Sequence, residues 1–138
     1  MSDSDKPLNI RDMSSNRPVY LSLVSFKFPV MAIASIIHRV SGVFLAAGLV
    51  PAILMWHTSL QSEGGFALVQ TWFNLLAVQL LVWFYLSCLF YHALAGIKHL
   101  FMDLGWGESQ SVASKLSWGI ICIAILFSAG LLYLMVAP

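Results

Sequence analysis

Residues 28–56 read FPVMAIASIIHRVSGVFLAAGLVPAILMW, and Arg39 is their only Asp, Glu, Lys or Arg. A helix that crosses a bilayer needs about 20 mostly apolar residues, so this stretch is long enough to span a membrane. A guanidinium at membrane depth costs at least about 2.5–3.5 kcal/mol on insertion scales and is normally retained for a partner or ligand. The stretch therefore predicts a membrane helix that carries a polar site.

The remainder of the chain has the same apolar character. Of the 138 residues, 59% are hydrophobic and 9% are charged, and the mean hydropathy is +0.85. These values are typical of integral membrane proteins. We predict an all-α protein with a cytoplasmic segment at residues 1–27 and a transmembrane domain of three helices at residues 28–138. The expected spans lie near residues 29–58, 66–97 and 116–136, with linkers near 59–65 and 103–115.

The positions of the basic residues predict the orientation of the three spans. Five precede or begin the first span, two bracket the second linker, and none lies in the first linker; they are Lys6, Arg11, Arg17, Lys27, Arg39, Lys98 and Lys115. Cytoplasmic loops are enriched in Lys and Arg, so the N-terminus and the second linker are expected in the cytoplasm. Lys98 is expected to extend to the lipid headgroups.

Polar residues share one face of the first span. At 100° per residue, Ser35, His38 and Arg39 fall within an arc of about 100°, and Gly42 returns to the same face. One interpretation is that Arg39 only extends toward the headgroups and His38 bonds a neighbouring backbone group. An arginine that only extends toward the headgroups requires neither Ser35 nor His38 on the same face. We therefore favour a polar pocket on this face.

A second polar face occupies the end of the second span. His92, Gly96, His99 and Asp103 fall within about 60° of one another, and His92 lies deepest. A buried neutral histidine is a good ligand for haem iron, and Gly96 would let a flat macrocycle approach the backbone. The alternative for His92 alone is a hydrogen-bonded core histidine.

The two polar faces are expected to meet. The first two spans are antiparallel, so His38 and His92 should lie at similar depth on the cytoplasmic side. A redox cofactor beside a cationic pocket predicts one-electron chemistry with a small acceptor. The sequence contains no glycine-rich phosphate loop, nucleophile elbow or zinc motif, and its basic residues are too few for nucleic-acid binding.

Two segments resemble a known family. Residues 17–23 leading to 35–42 (SIIHRVSG), and residues 92–103 (HALAGIKHLFMD), are similar to the signature stretches of the cytochrome b membrane subunit of succinate dehydrogenase. The resemblance covers most of the chain beyond residue 17. It implies a bacterial inner-membrane subunit that packs with a second anchor subunit and works with an iron–sulfur subunit and a flavoprotein subunit.

The resemblance also implies roles for individual residues. His92 matches the axial ligand of haem b, whose second ligand comes from the partner anchor, and Ser35 and Arg39 match ubiquinone-site residues. His38 and His99 match histidines near the haem, and Asp103 matches an acidic residue near the cytoplasmic surface. We expect protons to reach the site from the cytoplasm near Asp103. The alternatives are a haem-free structural anchor of a peripheral enzyme and a quinol:fumarate reductase anchor.

The predicted orientation can be tested with reporter fusions. A reporter fused after Pro138 should report the outer compartment, and one inserted near Ser109 should report the cytoplasm, because the basic residues cluster on the cytoplasmic side. Paired phosphatase and fluorescent-protein activities would measure both positions. The reverse pattern would contradict the charge argument.

Overall fold

The computed structural model describes residues 28–137, so the predicted cytoplasmic segment at residues 1–27 and Pro138 lie outside the described residues. Within them are four helices and no strand: α1 (Val30–Gln61), α2 (Glu63–Phe73), α3 (Leu76–Asp103) and α4 (Gln110–Val136). Three of the four, α1, α3 and α4, are long and apolar enough to cross a membrane. The all-α prediction with three long apolar helices is confirmed.

The first connection is shorter than predicted. Residues 59–65 were expected to form a linker, but α1 continues to Gln61 and only Ser62 separates it from α2. The Ser62 hydroxyl oxygen accepts a hydrogen bond from the Gly65 amide at 3.0 Å and caps α2. A Cβ at position 65 would overlap the Thr58 carbonyl oxygen, so the close approach of the two helices requires glycine there.

The second long helix begins ten residues later than the predicted position near residue 66. Residues 63–73 instead form the separate helix α2. The non-helical residues Asn74 and Leu75 separate it from α3, which starts at Leu76. The Gln79 side chain donates to the Phe73 carbonyl oxygen at 2.9 Å, which satisfies an orphan acceptor at the end of α2. Hydropathy alone did not detect this break because apolar residues flank it on both sides.

Helix α3 ends at Asp103, and a turn at Gly105 leads into the connection to α4. The amide of Gly105 (φ 83°) donates to the Met102 carbonyl oxygen at 2.9 Å, and the Trp106 amide donates to that of Phe101 at 3.0 Å. This pair of bonds is a Schellman motif, and the Phe101 and Trp106 rings stack with centroids 5.9 Å apart. Helix α4 then begins at Gln110, so the linker is shorter than the predicted 103–115.

Small and polar residues fill the contacts between the long helices. Helix α3 packs against α1 and α4, which contact each other less. The buried residues among the described ones are Ala34, Ser41, Val69, Tyr91, Ala95, Lys98, Ala113 and Ser117. Small side chains let membrane helices approach closely. Large apolar side chains are exposed along all three long helices, as expected for surfaces that face lipid or other subunits.

Lys98 does not extend to the headgroups, as the sequence predicted, but is buried between α3 and α4. Its Nζ donates to the Ser117 hydroxyl oxygen at 2.7 Å, and that hydroxyl donates to the Ala113 carbonyl oxygen at 2.8 Å. Lys98 is 8% exposed and Ser117 is fully buried. This chain of two bonds joins the helices within an otherwise apolar contact.

We expect Ser117→Ala to destabilise the protein. Loss of the hydroxyl leaves the buried Lys98 donor unsatisfied, which should lower the free energy of unfolding by about 1–3 kcal/mol. Denaturant titration of helical circular dichroism in detergent would measure the change. Ser111→Ala, at an exposed position of the same helix, is the control. The Lys98→Met/Ser117→Ala double variant should be more stable than Ser117→Ala, and equal stability of the two single serine variants would contradict the prediction.

Candidate functional site

Three histidines meet where α1 crosses α3. The His38 ring, on α1, stacks on the His92 ring of α3, with centroids 4.1 Å apart and planes inclined by 19°. The His99 ring, also on α3, lies 5.3 Å from the His38 ring, with planes inclined by 47°. The predicted approach of the two polar faces is therefore present in the structure. It arises because α1 and α3 are antiparallel and are in direct contact.

The hydrogen bonds of His92 define its tautomer. Its Nδ1 lies 3.1 Å from the His38 carbonyl oxygen and 3.1 Å from the Ser41 hydroxyl oxygen. A carbonyl oxygen only accepts hydrogen bonds, so Nδ1 carries the proton. The lone pair of the neutral ring is therefore on Nε2. Metal-bound histidines commonly donate their other ring N–H to a backbone carbonyl in this way.

Ser41 orients the same imidazole, a role that the sequence did not indicate. It is 4% exposed, and its hydroxyl donates to the His38 carbonyl oxygen at 2.7 Å while its oxygen faces His92 Nδ1. A serine three residues after a histidine in a helix lies near the same face, which is the one signal that could have indicated it. Its contact with His92 depends on how the two helices pack.

Gly42 makes room for the stacked rings, and Gly96 lies beside them at an ordinary van der Waals distance. A Cβ on Gly42 would lie 3.0 Å from His92 Cε1, so a side chain there would push the imidazole aside. A Cβ on Gly96 would lie 3.5 Å from His38 Nε2. The space beside Gly96, which was expected to admit a macrocycle, thus holds the His38 imidazole in this chain.

His38 has an unpaired polar atom. Its Nε2 is buried and has no hydrogen-bond partner within the described part of the chain. An unpaired buried polar atom costs free energy and in a native structure requires an explanation. A ligand or another subunit that contacts this nitrogen would supply the missing partner.

Of the other predicted site residues, Ser35 is as buried as the three histidines, whereas Arg39 and Asp103 are exposed. Ser35 is half-buried on α1 and Arg39 is exposed one turn later. Within residues 28–137, neither side chain makes a hydrogen bond or an ion pair. Asp103 is exposed at the last residue of α3, one turn beyond His99.

The described residues hold no self-sufficient metal site. No group of three or more His, Cys, Asp or Glu side chains in residues 28–137 could hold a metal ion. Cys88 and Cys122 are free thiols on different helices. One histidine with a free Nε2 is nevertheless the donor that an axially ligated haem requires from one side.

Together, the three apolar helices and the cluster of histidine, serine and arginine define a helical membrane subunit with a polar site between two spans. The chain belongs to the family described as "Succinate dehydrogenase/Fumarate reductase transmembrane subunit", whose model matches residues 13–131. It is therefore a membrane subunit of this class of oxidoreductase complex.

Named relatives agree with the family. The succinate dehydrogenase cytochrome b556 subunit of Coxiella burnetii (strain RSA 493 / Nine Mile phase I) is 42% identical over 99 residues, which are 70% of this chain and 78% of the relative. The subunit of the same name from Paracoccus denitrificans is 32% identical over 117 residues, 82% of this chain and 87% of the relative. The subunit of the same name from Rickettsia prowazekii (strain Madrid E) is 29% identical over 118 residues, which are 86% of this chain and 92% of the relative.

Proposed function

We propose that this chain is the subunit of succinate dehydrogenase that binds haem b together with a second anchor subunit and forms part of the ubiquinone-reduction site. The hydrogen bond from His92 Nδ1 to the His38 carbonyl oxygen supports this proposal most directly, because it leaves Nε2 free to bind iron. Relatives from bacteria are named cytochrome b556 subunits of succinate dehydrogenase. The proposed location is the bacterial inner membrane, with the N-terminus in the cytoplasm.

The residues around His92 fit a haem group. In the proposal, His92 would ligate the haem iron, the partner anchor would supply a second ligand, and His38 and His99 would help to hold the haem. The unpaired Nε2 of His38 supports this, since a polar group of a cofactor could be its missing partner. Haem b, when bound, accepts and returns one electron at a time. Ser41 and the His38 carbonyl hold the His92 ring so that Nε2 keeps its lone pair.

The proposed ubiquinone site uses the half-buried and exposed residues of α1. Ser35 would donate a hydrogen bond to a quinone carbonyl, and Arg39 would stabilise the negative charge that develops as the quinone is reduced. Within the described residues neither side chain makes a hydrogen bond or an ion pair. Asp103, exposed at the end of α3, would take part in proton delivery from the cytoplasmic side.

The proposal also assigns partners. Electrons would come from an iron–sulfur subunit that receives them from a flavoprotein subunit at which succinate is oxidised. Large apolar side chains exposed on every long helix offer surface for the second anchor subunit and for lipid.

A reduced-minus-oxidised absorption spectrum of the purified complex, with succinate as electron donor, tests the function as a whole. The proposal requires a low-spin haem b band that appears when succinate is added. A complex without a haem band would support the alternative of a haem-free structural anchor.

We expect His92→Ala to abolish the low-spin haem spectrum or to shift it strongly, because one of the two proposed axial ligands is removed. Absorption and electron paramagnetic resonance spectra of the assembled complex would measure this. His57→Ala is the matched control, since His57 lies on α1 away from the cluster and is bonded to Gln61 at 2.8 Å. An unchanged spectrum for His92→Ala would refute the assignment, and loss of haem in His38→Ala instead would favour a ligand pair that includes His38.

We expect Ser35→Ala and Arg39→Leu to impair ubiquinone reduction and to spare both haem content and succinate oxidation by a soluble artificial acceptor. Loss of a charge-assisted hydrogen bond costs about 1.5–3 kcal/mol, or roughly one to two orders of magnitude in affinity or rate. Arg39→Lys keeps the charge but loses the planar guanidinium, so its activity should lie between those of wild type and Arg39→Leu.

Two surface residues provide controls for this pair. Ser59→Ala removes a hydroxyl that bonds only the Trp56 carbonyl oxygen at 2.7 Å, and Lys115→Leu removes an exposed cation on α4. Both should reduce ubiquinone at the wild-type rate. A wild-type rate in Arg39→Leu would instead mean that this arginine only extends to the headgroups.

A further inference from the structure

Tyr91, the residue before His92, makes a second buried contact with α1. Its side chain is 7% exposed, and its hydroxyl donates to the Ala34 carbonyl oxygen at 2.8 Å. The Ala34 residue itself is 5% exposed, so water does not compete for this bond. The sequence motifs did not indicate Tyr91, and neither the haem proposal nor the quinone proposal above uses it.

The two contacts are related in a simple way. Tyr91 and His92, which are adjacent on α3, donate to the carbonyl oxygens of Ala34 and His38, which are one helical turn apart on α1. Adjacent residues on a helix point about 100° apart, so these two side chains reach α1 from different directions. Two such bonds restrict both the sliding and the rotation of α1 against α3. A single bond would still allow α1 to rotate about that bond.

The bonded carbonyl groups belong to particular peptide units. The Ala34 carbonyl is in the peptide unit that includes the nitrogen of Ser35, and the His38 carbonyl is in the unit that includes the nitrogen of Arg39. Tyr91 therefore holds the backbone next to Ser35, just as His92 holds the backbone next to Arg39. The two proposed quinone-site residues are each held through the peptide bond that precedes them.

We propose that Tyr91 is a positioning residue for the ubiquinone site, which holds Ser35 at a defined place relative to Arg39 and His92. This inference rests on the proposed function, because it requires Ser35 to contact the quinone. Tyr91 itself does not contact the quinone in this proposal. Its effect on ubiquinone reduction passes through the backbone of α1.

A second tyrosine on the same pair of helices serves as a matched control. The Tyr85 hydroxyl donates to the Leu45 carbonyl oxygen of α1 at 3.4 Å, and the ring packs over Gly48. Tyr85→Phe therefore also removes one tyrosine-to-carbonyl bond between α3 and α1. The peptide unit that it affects is about ten residues from Ser35, outside the proposed quinone site.

The test compares Tyr91→Phe, Tyr85→Phe and wild type in the whole succinate dehydrogenase complex. We expect Tyr91→Phe to raise the KM for a short-chain ubiquinone about three- to tenfold, as the loss of one neutral hydrogen bond permits, with little change in kcat. The Kd for the same quinone, measured by equilibrium titration, should rise in parallel. Haem content and succinate oxidation with a soluble acceptor should stay at wild-type levels, and Tyr85→Phe should leave KM unchanged.

A double-mutant cycle with Ser35→Ala identifies the route of the effect. If Tyr91 acts through Ser35, the Tyr91→Phe/Ser35→Ala variant should have the same KM as Ser35→Ala alone. The positioning role would be overturned if the double variant raised KM by the product of the two single effects. It would also be overturned if Tyr91→Phe raised KM while Ser35→Ala did not. A normal KM in Ser35→Ala and in Arg39→Leu would instead refute the proposed quinone site.

Two other results would overturn the inference. An equal rise in KM for Tyr91→Phe and Tyr85→Phe would mean that general helix packing is responsible. Failure of Tyr91→Phe to assemble while Tyr85→Phe assembles, or parallel loss of haem content and all activities, would assign Tyr91 to folding.

Discussion

The hydrogen bond from His92 Nδ1 to the His38 carbonyl oxygen joins the two helices on which the polar site is built. It selects the tautomer of the neutral His92 ring, and it joins α1 to α3 where the His38 imidazole stacks on that of His92. Ser41 reinforces the bond from α1, and the hydrogen bond of Tyr91 lies one turn away. The arrangement of the remaining site residues depends on this contact.

The solvent that surrounds the helices explains why such bonds matter here. Within a bilayer there is little hydrophobic driving force between helices, so close packing of small residues and interhelical hydrogen bonds hold them together. The structure uses both on the α3–α4 side as well. The Trp83 indole donates to the Ser128 carbonyl oxygen at 2.8 Å, and Ser87 donates to the Ser128 hydroxyl oxygen at 3.0 Å. Together with the Lys98–Ser117 bond, these contacts place α3 at the centre of the bundle.

The two ends of the α1–α3 contact differ in character. One end carries the histidines, Ser35 and Arg39, whereas a cavity of about 800 Å³ at the other end is bordered by α1, α2 and α3. Its lining is almost entirely apolar, and Tyr85 and Ser59, which border it, bond backbone carbonyls of α1. The side chains to which the proposal assigns haem binding and proton transfer therefore all lie at one end of this contact. In the proposal, the cost of placing Arg39 at membrane depth is offset by its contact with the quinone.

The sequence by itself determined the all-α class, the presence of three long apolar helices and the two polar faces. These features follow from composition and from the 100° step of a helix, which are local properties of the chain. The charge of Arg39 and the spacing from His92 to Asp103 were sufficient to indicate where a site would lie. The family model matches residues 13–131, a range that includes both polar faces.

Only the tertiary structure decided which groups touch. The burial of Lys98 against Ser117, the contact of Ser41 with α3 and the contact of Tyr91 with α1 each depend on a partner distant along the chain. Helical periodicity defines a face but does not specify which atoms of another helix it meets. The tautomer of His92 is the clearest case, because a carbonyl 54 residues away determines which of its two nitrogens remains free.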